Sequence, residues 1–179
     1  ATLPSDVWTG KGLPAQAYVS CIAVDPANGD RALLVFSNYN VISLFYTANG
    51  GVSRESVAGN LEQNPDGTGA GPSVRWGTIL PLGKGYQYFV GTSTGLYSTQ
   101  LLNGQSTTWA LEGTNTIGNV VVDMIDVRTL DGTVVVGTHG QGAFSGQAQV
   151  SPVQPPSGSQ GLAQNYPNPF NKSTSISFS

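Results

Sequence analysis

The chain of 179 residues carries a formal net charge of −3 with only 9% charged residues, which fits one domain of ordinary size or part of a larger one. No basic cluster is present to neutralise a phosphate backbone, and no apolar run approaches the roughly 18 residues of a membrane-spanning helix, so neither a nucleic-acid partner nor a membrane span is expected. Apolar residues make up 39% of the chain, too many for a disordered composition, and 24 glycines and 11 prolines punctuate short apolar runs in the manner of an all-β fold.

The N-terminal Ala1-Thr2-Leu3-Pro4 has neither the charged nor the apolar region of a signal peptide, so the chain reads as mature or as excised from something longer. A short apolar piece at Val7-Trp8 precedes Gly10, Gly12 and Pro14. Strands are expected over 18–25, 31–36, 41–46 and 53–57, with turns at Asn28-Gly29-Asp30 and at Asn49-Gly50, a pair suited to positive φ. A polar, glycine-rich stretch at 61–72 reads as an exposed loop. The same order then returns, with strands over 73–80, 86–90, 96–101 and 107–111. A third unit offers 120–127, 133–136 and 143–150 and no fourth strand. Apolar positions nowhere recur at helical spacing over several turns, so no helix is expected.

One stretch occurs twice. Phe89-Val90-Gly91-Thr92-Ser93-Thr94-Gly95-Leu96-Tyr97 matches Val135-Val136-Gly137-Thr138-His139-Gly140-Gln141-Gly142-Ala143-Phe144, and 34–45 is a looser echo. A period of about 50 residues is the signature of stacked units. Four short antiparallel strands per unit describe a propeller blade. The expected fold is therefore all-β, a partial β-propeller of about three four-stranded antiparallel blades over 1–150. After it come a Pro/Ser/Gly linker at 151–161 and an extended tail at 162–179.

The turns add detail. Thr47-Ala48-Asn49-Gly50-Gly51-Val52-Ser53-Arg54 resembles the Asp-box of BNR-type propellers, Ser-x-Asp-x-Gly-x-Thr-Trp, with Arg54 in place of the tryptophan. Asn103-Gly104-Gln105-Ser106-Thr107-Thr108-Trp109 is a second, shifted copy that keeps Asn, Thr and Trp. The likeness covers roughly residues 6–147. The tail, through Asn165-Tyr166-Pro167-Asn168-Pro169-Phe170-Asn171, resembles the opening of the type A C-terminal sorting domain of the type IX secretion system. That resemblance implies export across the outer membrane of a Bacteroidota-type bacterium, with secretion machinery as a partner and a secreted or cell-surface location. Known propellers use about four to eight blades. Three blades then imply other chains or missing blades completing the ring, and residues 6–9 read as the outer strand of a preceding blade.

Chemistry is sparse. A glycosidase needs two carboxylates roughly 5–10 Å apart across one sugar, but Asp123 and Asp126 are three apart in a strand and face opposite ways. Asp25 precedes a proline at a strand end, where it caps a turn. Arg31, Arg54, Arg75 and Arg128 are scattered. His139 is the single histidine and lies in a glycine turn, and the lone Cys21 sits among apolar neighbours as a buried inert thiol. Neither a disulfide, a metal site nor a cofactor is expected. Trp76, Tyr86, Tyr88 and Tyr97 form the one candidate surface, for stacking on carbohydrate, against the plainer reading of packing between blades. These readings converge on a secreted module that binds or scaffolds, with a glycan or a protein as ligand. The alternative is the C-terminal part of an extracellular hydrolase, a glycoside hydrolase or peptidase, whose active site lies in missing blades.

Overall fold

The computed structural model describes residues 13–14 and 17–148. The linker, the sorting-type motif Asn165–Asn171 and the Val7-Trp8 piece lie outside the described residues. Within them the chain is all-β, with one short 3-10 turn at Gly59–Leu61 and no α-helix. Sheet 1 contains β1 (Val19–Asp25), β2 (Asn28–Phe36), β3 (Leu44–Thr47) and β4 (Glu55–Ser56). Sheet 2 contains β5 (Val74–Pro81), β6 (Tyr86–Thr92), β7 (Gly95–Thr99) and β8 (Ala110–Glu112). Sheet 3 has only β9 (Val122–Arg128), β10 (Thr133–Thr138) and β11 (Gly142–Gln147). Every neighbouring pair is antiparallel and in sequence order. The expected division into units of four, four and three strands is observed.

The sheets stack in series because sheet 2 is apolar on both faces. Side chains alternate across a strand, so residues directly opposite in register share a face. Ile79, Tyr88 and Val90 face sheet 1, where they meet Cys21, Leu33 and Val35 in one buried cluster. Leu80, Phe89 and Leu96 face sheet 3, where they meet Val122, Ile125, Val134 and Val136 in a second. The first strands lie side by side through the stack, β1 against β5 and β5 against β9.

Glycine permits the closest approach. A Cβ on Gly91 would lie 2.7 Å from Val122 Cγ1 and 2.8 Å from its carbonyl oxygen, so β6 can meet β9 only without a side chain there. Cys21 is buried with its Sγ 3.5 Å from the Gly77 carbonyl oxygen, and burial pushes the thiol up in pKa.

Three expectations need correction. The first hairpin reverses at Pro26-Ala27, where the Ala27 N–H donates to Asp25 Oδ1 at 2.8 Å, so Asn28-Gly29-Asp30 belongs to β2 and is not the turn. β3 starts at Leu44 and not at Val41. The stretch 61–72 is only in part an exposed loop. Leu61 is buried in the first cluster, and Gly67, at φ +84°, packs so tightly on Val41 that a Cβ would lie 2.1 Å from that residue's carbonyl carbon. The carboxylate of Glu62 anchors the stretch by accepting from Ser43 N–H at 2.6 Å and Ser43 Oγ at 2.8 Å.

Candidate functional site

The polar side chains gather at opposite ends of the two seams. At the seam of sheets 1 and 2, the end of β1 supplies Asp25, the start of β2 Arg31, β3 Tyr46, and the start of β6 Tyr86 and Tyr88. Tyr86 and Tyr88 stack with ring centroids 5.9 Å apart, and Tyr46 meets Tyr88 edge-on at 6.2 Å. The Arg31 guanidinium lies 4.8 Å from the Tyr86 ring centroid and donates to the Tyr86 hydroxyl. It also stands 3.8 Å from Asp25 Oδ2, a buried oxygen with no hydrogen bond. Burial raises the pKa of Tyr88 and of Tyr46, so both stay phenolic and act as neutral donors. The cluster offers a cation, hydroxyls and two half-buried rings, Tyr46 and Tyr86, a combination suited to binding polar ligands by stacking and hydrogen bonds.

Of the four aromatics expected to act together, the structure brings together two, Tyr86 and Tyr88. Tyr97 lies on the same face of sheet 2 but further along it, paired with Val90, with its hydroxyl 3.3 Å from Thr94 Oγ1. Trp76 pairs with Gly91 beyond an irregularity in β5, on the face toward sheet 3, and touches the margin of both clusters. Tyr88 itself is only 6% exposed. Arg31 and Tyr46, the missing members, lie in another unit of the repeat, and their approach required the stacking of sheets.

A second group forms at the other end of the seam between sheets 2 and 3. Arg75 Nη1 lies 3.3 Å from Asp123 Oδ1, and His139 Nδ1 lies 3.6 Å from Asp123 Oδ2. Three residues that look scattered in sequence are neighbours because β5 runs beside β9 and the β10–β11 turn returns to the same end. Asp126 lies on the other face, opposite Val135, so the two aspartates do not form an acid pair. Arg128 pairs with Asp131 in the β9–β10 turn and holds its carboxyl well below the usual carboxylate range.

The box-like turns are internally satisfied. Thr47 Oγ1 accepts from Gly51 N–H at 2.9 Å and Asn49 Oδ1 accepts from Ser53 N–H at 2.9 Å, which ties the β3–β4 turn to itself. In sheet 2 the equivalent turn uses Thr107, whose hydroxyl accepts from Asn103 N–H at 2.9 Å, and it delivers Trp109 into the seam with its indole N–H on the Val57 carbonyl at 2.9 Å. The hydrogen-bonded side chains of these turns, Thr47, Asn49 and Thr107, are spent on building them. Among the described residues no three His, Cys, Asp or Glu gather as a metal site, and no helix is long and apolar enough to cross a membrane. No protein-family model matches the chain, and no curated protein matches it.

Proposed function

We propose that the chain is a secreted or cell-surface module of propeller type, exported through its tail by type IX secretion, that binds or scaffolds extracellular polymers. The observation that carries the binding reading is the Arg31–Tyr86 pair at the rim of the first seam, where a stacked cation and ring are half-buried beside the buried Tyr88. The propeller reading is supported by the serial stacking of similar sheets through their first strands. Export is supported by the Asn165–Asn171 run alone.

Binding is tested with a glycan array and a hydrolysis screen on the full chain and on Tyr86→Ala. Retention on a glycan, lost in the variant, supports the reading; no retention on any polymer overturns it. Export is tested by deleting residues 162–179 and whatever follows them in the producing bacterium, and undiminished secretion overturns that part.

One observation favours a second reading as part of an extracellular glycoside hydrolase or peptidase that draws on further blades. Asp123 is held between Arg75 and His139 at the end of a seam, where an acid meets two potential cations. Turnover of any polymer that is abolished in Asp123→Asn would put this reading first.

A further inference from the structure

A polar cleft lies where the edges of sheets 1 and 2 meet, and it shares no residue with the Arg31–Tyr86 cluster. It measures about 360 Å³ and runs between the stretch that follows β4 and the turn that precedes β8. That volume is within the range of small-molecule sites. The walls are locked to each other by the chain itself. Gly59, at φ +53°, approaches the opposite wall so closely that a Cβ would stand 1.8 Å from the Thr107 carbonyl oxygen. Asn60 spends both ends of its amide on Trp109, accepting from its N–H at 2.7 Å and donating to its carbonyl at 3.0 Å. A cleft built this way holds its width without a ligand, so binding bears little ordering cost.

The polar lining is oriented in advance by the same means. Gln63 Oε1 accepts from Ala70 N–H at 2.7 Å, which leaves the amide nitrogen to donate. Asn64 Nδ2 donates to Thr68 Oγ1 at 3.1 Å, and Gln105 Nε2 donates to the Pro65 carbonyl at 3.3 Å. Both amide oxygens are left to accept. Glu62 Oε1 takes the two bonds from Ser43, and Oε2 takes neither. The hydroxyls of Ser56, Ser106 and Thr108 line the same walls.

We propose that this cleft binds one uncharged sugar residue by hydrogen bonds alone. The chemistry of the lining selects the class. Among the described residues around the cleft there is no aromatic ring to stack on a planar ligand, and no cation to meet a phosphate or carboxylate. Pro65 is the one apolar side chain among them, so a greasy ligand has nothing to pack on. A metal ion is disfavoured because no three His, Cys, Asp or Glu gather among the described residues. What remains is a set of fixed donors, fixed acceptors and a half-buried carboxylate. Sugar hydroxyls both give and accept, and so match every member of that set. A hydroxyl donated to a carboxylate is the strongest of these bonds, which makes Glu62 the anchor. The site uses no stacking and is independent of the ligand proposed for the first seam.

The experiment is a titration of the full chain, followed by amide proton and nitrogen shifts, with galactose, glucose and mannose, each beside its uronic acid. At least one sugar should move the signals of Gly59, Gln63, Asn64 and Ser106 and leave those of Arg31 and Tyr86 in place. Its uronic acid should bind on the order of tenfold more weakly, because a second carboxylate meets Glu62 and no cation. Glu62→Gln, whose amide oxygen can still accept from Ser43, should weaken the sugar on the order of tenfold. Thr108→Trp, at an exposed position, should block the cleft while circular dichroism stays at the wild-type signal. Tyr86→Ala should leave this binding unchanged, which separates its outcome from that of the first seam. Short oligosaccharides of the bound sugar identify the source: shifts with both forms support a chain-borne residue, and shifts with the monosaccharide alone support a free one. Absence of any shift with all three sugars overturns the proposal. So does a uronic acid bound as tightly as its sugar, or binding that survives Thr108→Trp and is lost in Tyr86→Ala.

Discussion

Sheets 2 and 3 are built from two copies of one stretch, yet the same residues do different work in each. Gly91 in β6 and Gly137 in β10 hold matching places, before a threonine and a turn. A Cβ on Gly91 would strike Val122 at under 3 Å, whereas one on Gly137 would meet Met124 at an ordinary 3.7 Å. The first glycine is pressed against a following sheet, and the second faces outward. Position in the stack, not the local sequence, decides whether the glycine bears packing. A repeat therefore reports architecture well and the duty of any one residue poorly.

The largest effect that tests this contrast belongs to Trp109. It is buried in the first seam and its indole N–H is hydrogen-bonded, so Trp109→Ala should lower unfolding free energy by about 4 kcal/mol. Phe144, half-buried at the open cleft of the second seam, should cost only about 1–2 kcal/mol as Phe144→Ala, because much of its surface already meets water. Urea denaturation measures both. Equal losses would mean that the second seam is as closed as the first. Next come the glycines themselves. Gly91→Ala should destabilise by about 2 kcal/mol through overpacking against Val122, and Gly137→Ala should stay within about 0.5 kcal/mol. Comparable values for the pair would remove the packing explanation of Gly91.

How much of this was legible in the sequence follows the same divide. Period-2 apolar runs and glycine turns marked all eleven strands, because each is a local signal. They also gave the third unit three strands, the number its sheet has among the described residues. The limits of the elements were less legible: Asp25 accepts from Ala27 N–H and moves the first turn ahead of the Asn-Gly pair, an effect of a single side chain. Buried Leu61 and Gly67 were hidden because Leu61 joins a cluster built mostly by the strands of sheets 1 and 2, Gly67 packs on Val41 far back in the chain, and the residues around them are polar. The candidate site was half legible. Tyr86 and Tyr88 stand two apart in one strand and so share a face, but Arg31 and Asp25 reach them only across a seam. Arg75, Asp123 and His139 were each visible and their meeting was not, since it depends on which end of β9 faces β5.

The connections between sheets offer a smaller test. The link from sheet 1 to sheet 2 is tied down by Glu62, whose pKa is raised above its ordinary 4.5 by burial, partly offset by the hydrogen bonds from Ser43. A carboxyl raised in the folded state contributes stability that is fully present below its unfolded value and is lost as pH rises through the folded one. Wild type should therefore lose stability relative to Glu62→Gln as pH climbs from about 4.5 toward neutrality, by under about 1 kcal/mol. Asp131, held low by its hydrogen bonds with Arg128 and Thr133, acts in the opposite sense, and its contribution is lost only as pH falls below the ordinary 3.8. The two windows are separate, so melting curves at stepped pH resolve them. A flat difference between wild type and Glu62→Gln across pH 4.5 to 7 would show that Glu62 is not desolvated in the fold.

The smallest expected effect lies where the two seams differ in polarity. At the first seam Asp25 is fully shielded beside Arg31, while at the second Arg75 and Asp123 each keep 43% of their side-chain surface. Exposed pairs of this kind are worth about 0–1 kcal/mol and weaken as salt screens them. A double-mutant cycle with Arg75→Ala and Asp123→Ala should give a coupling of about 0.5 kcal/mol in low salt that fades toward zero at 1 M sodium chloride. His139 joins the same carboxylate, with its Nδ1 3.6 Å from Asp123 Oδ2, and is itself largely exposed. If the Arg75–Asp123 coupling instead persists in high salt, the pair is shielded from solvent and the second seam is covered at that end.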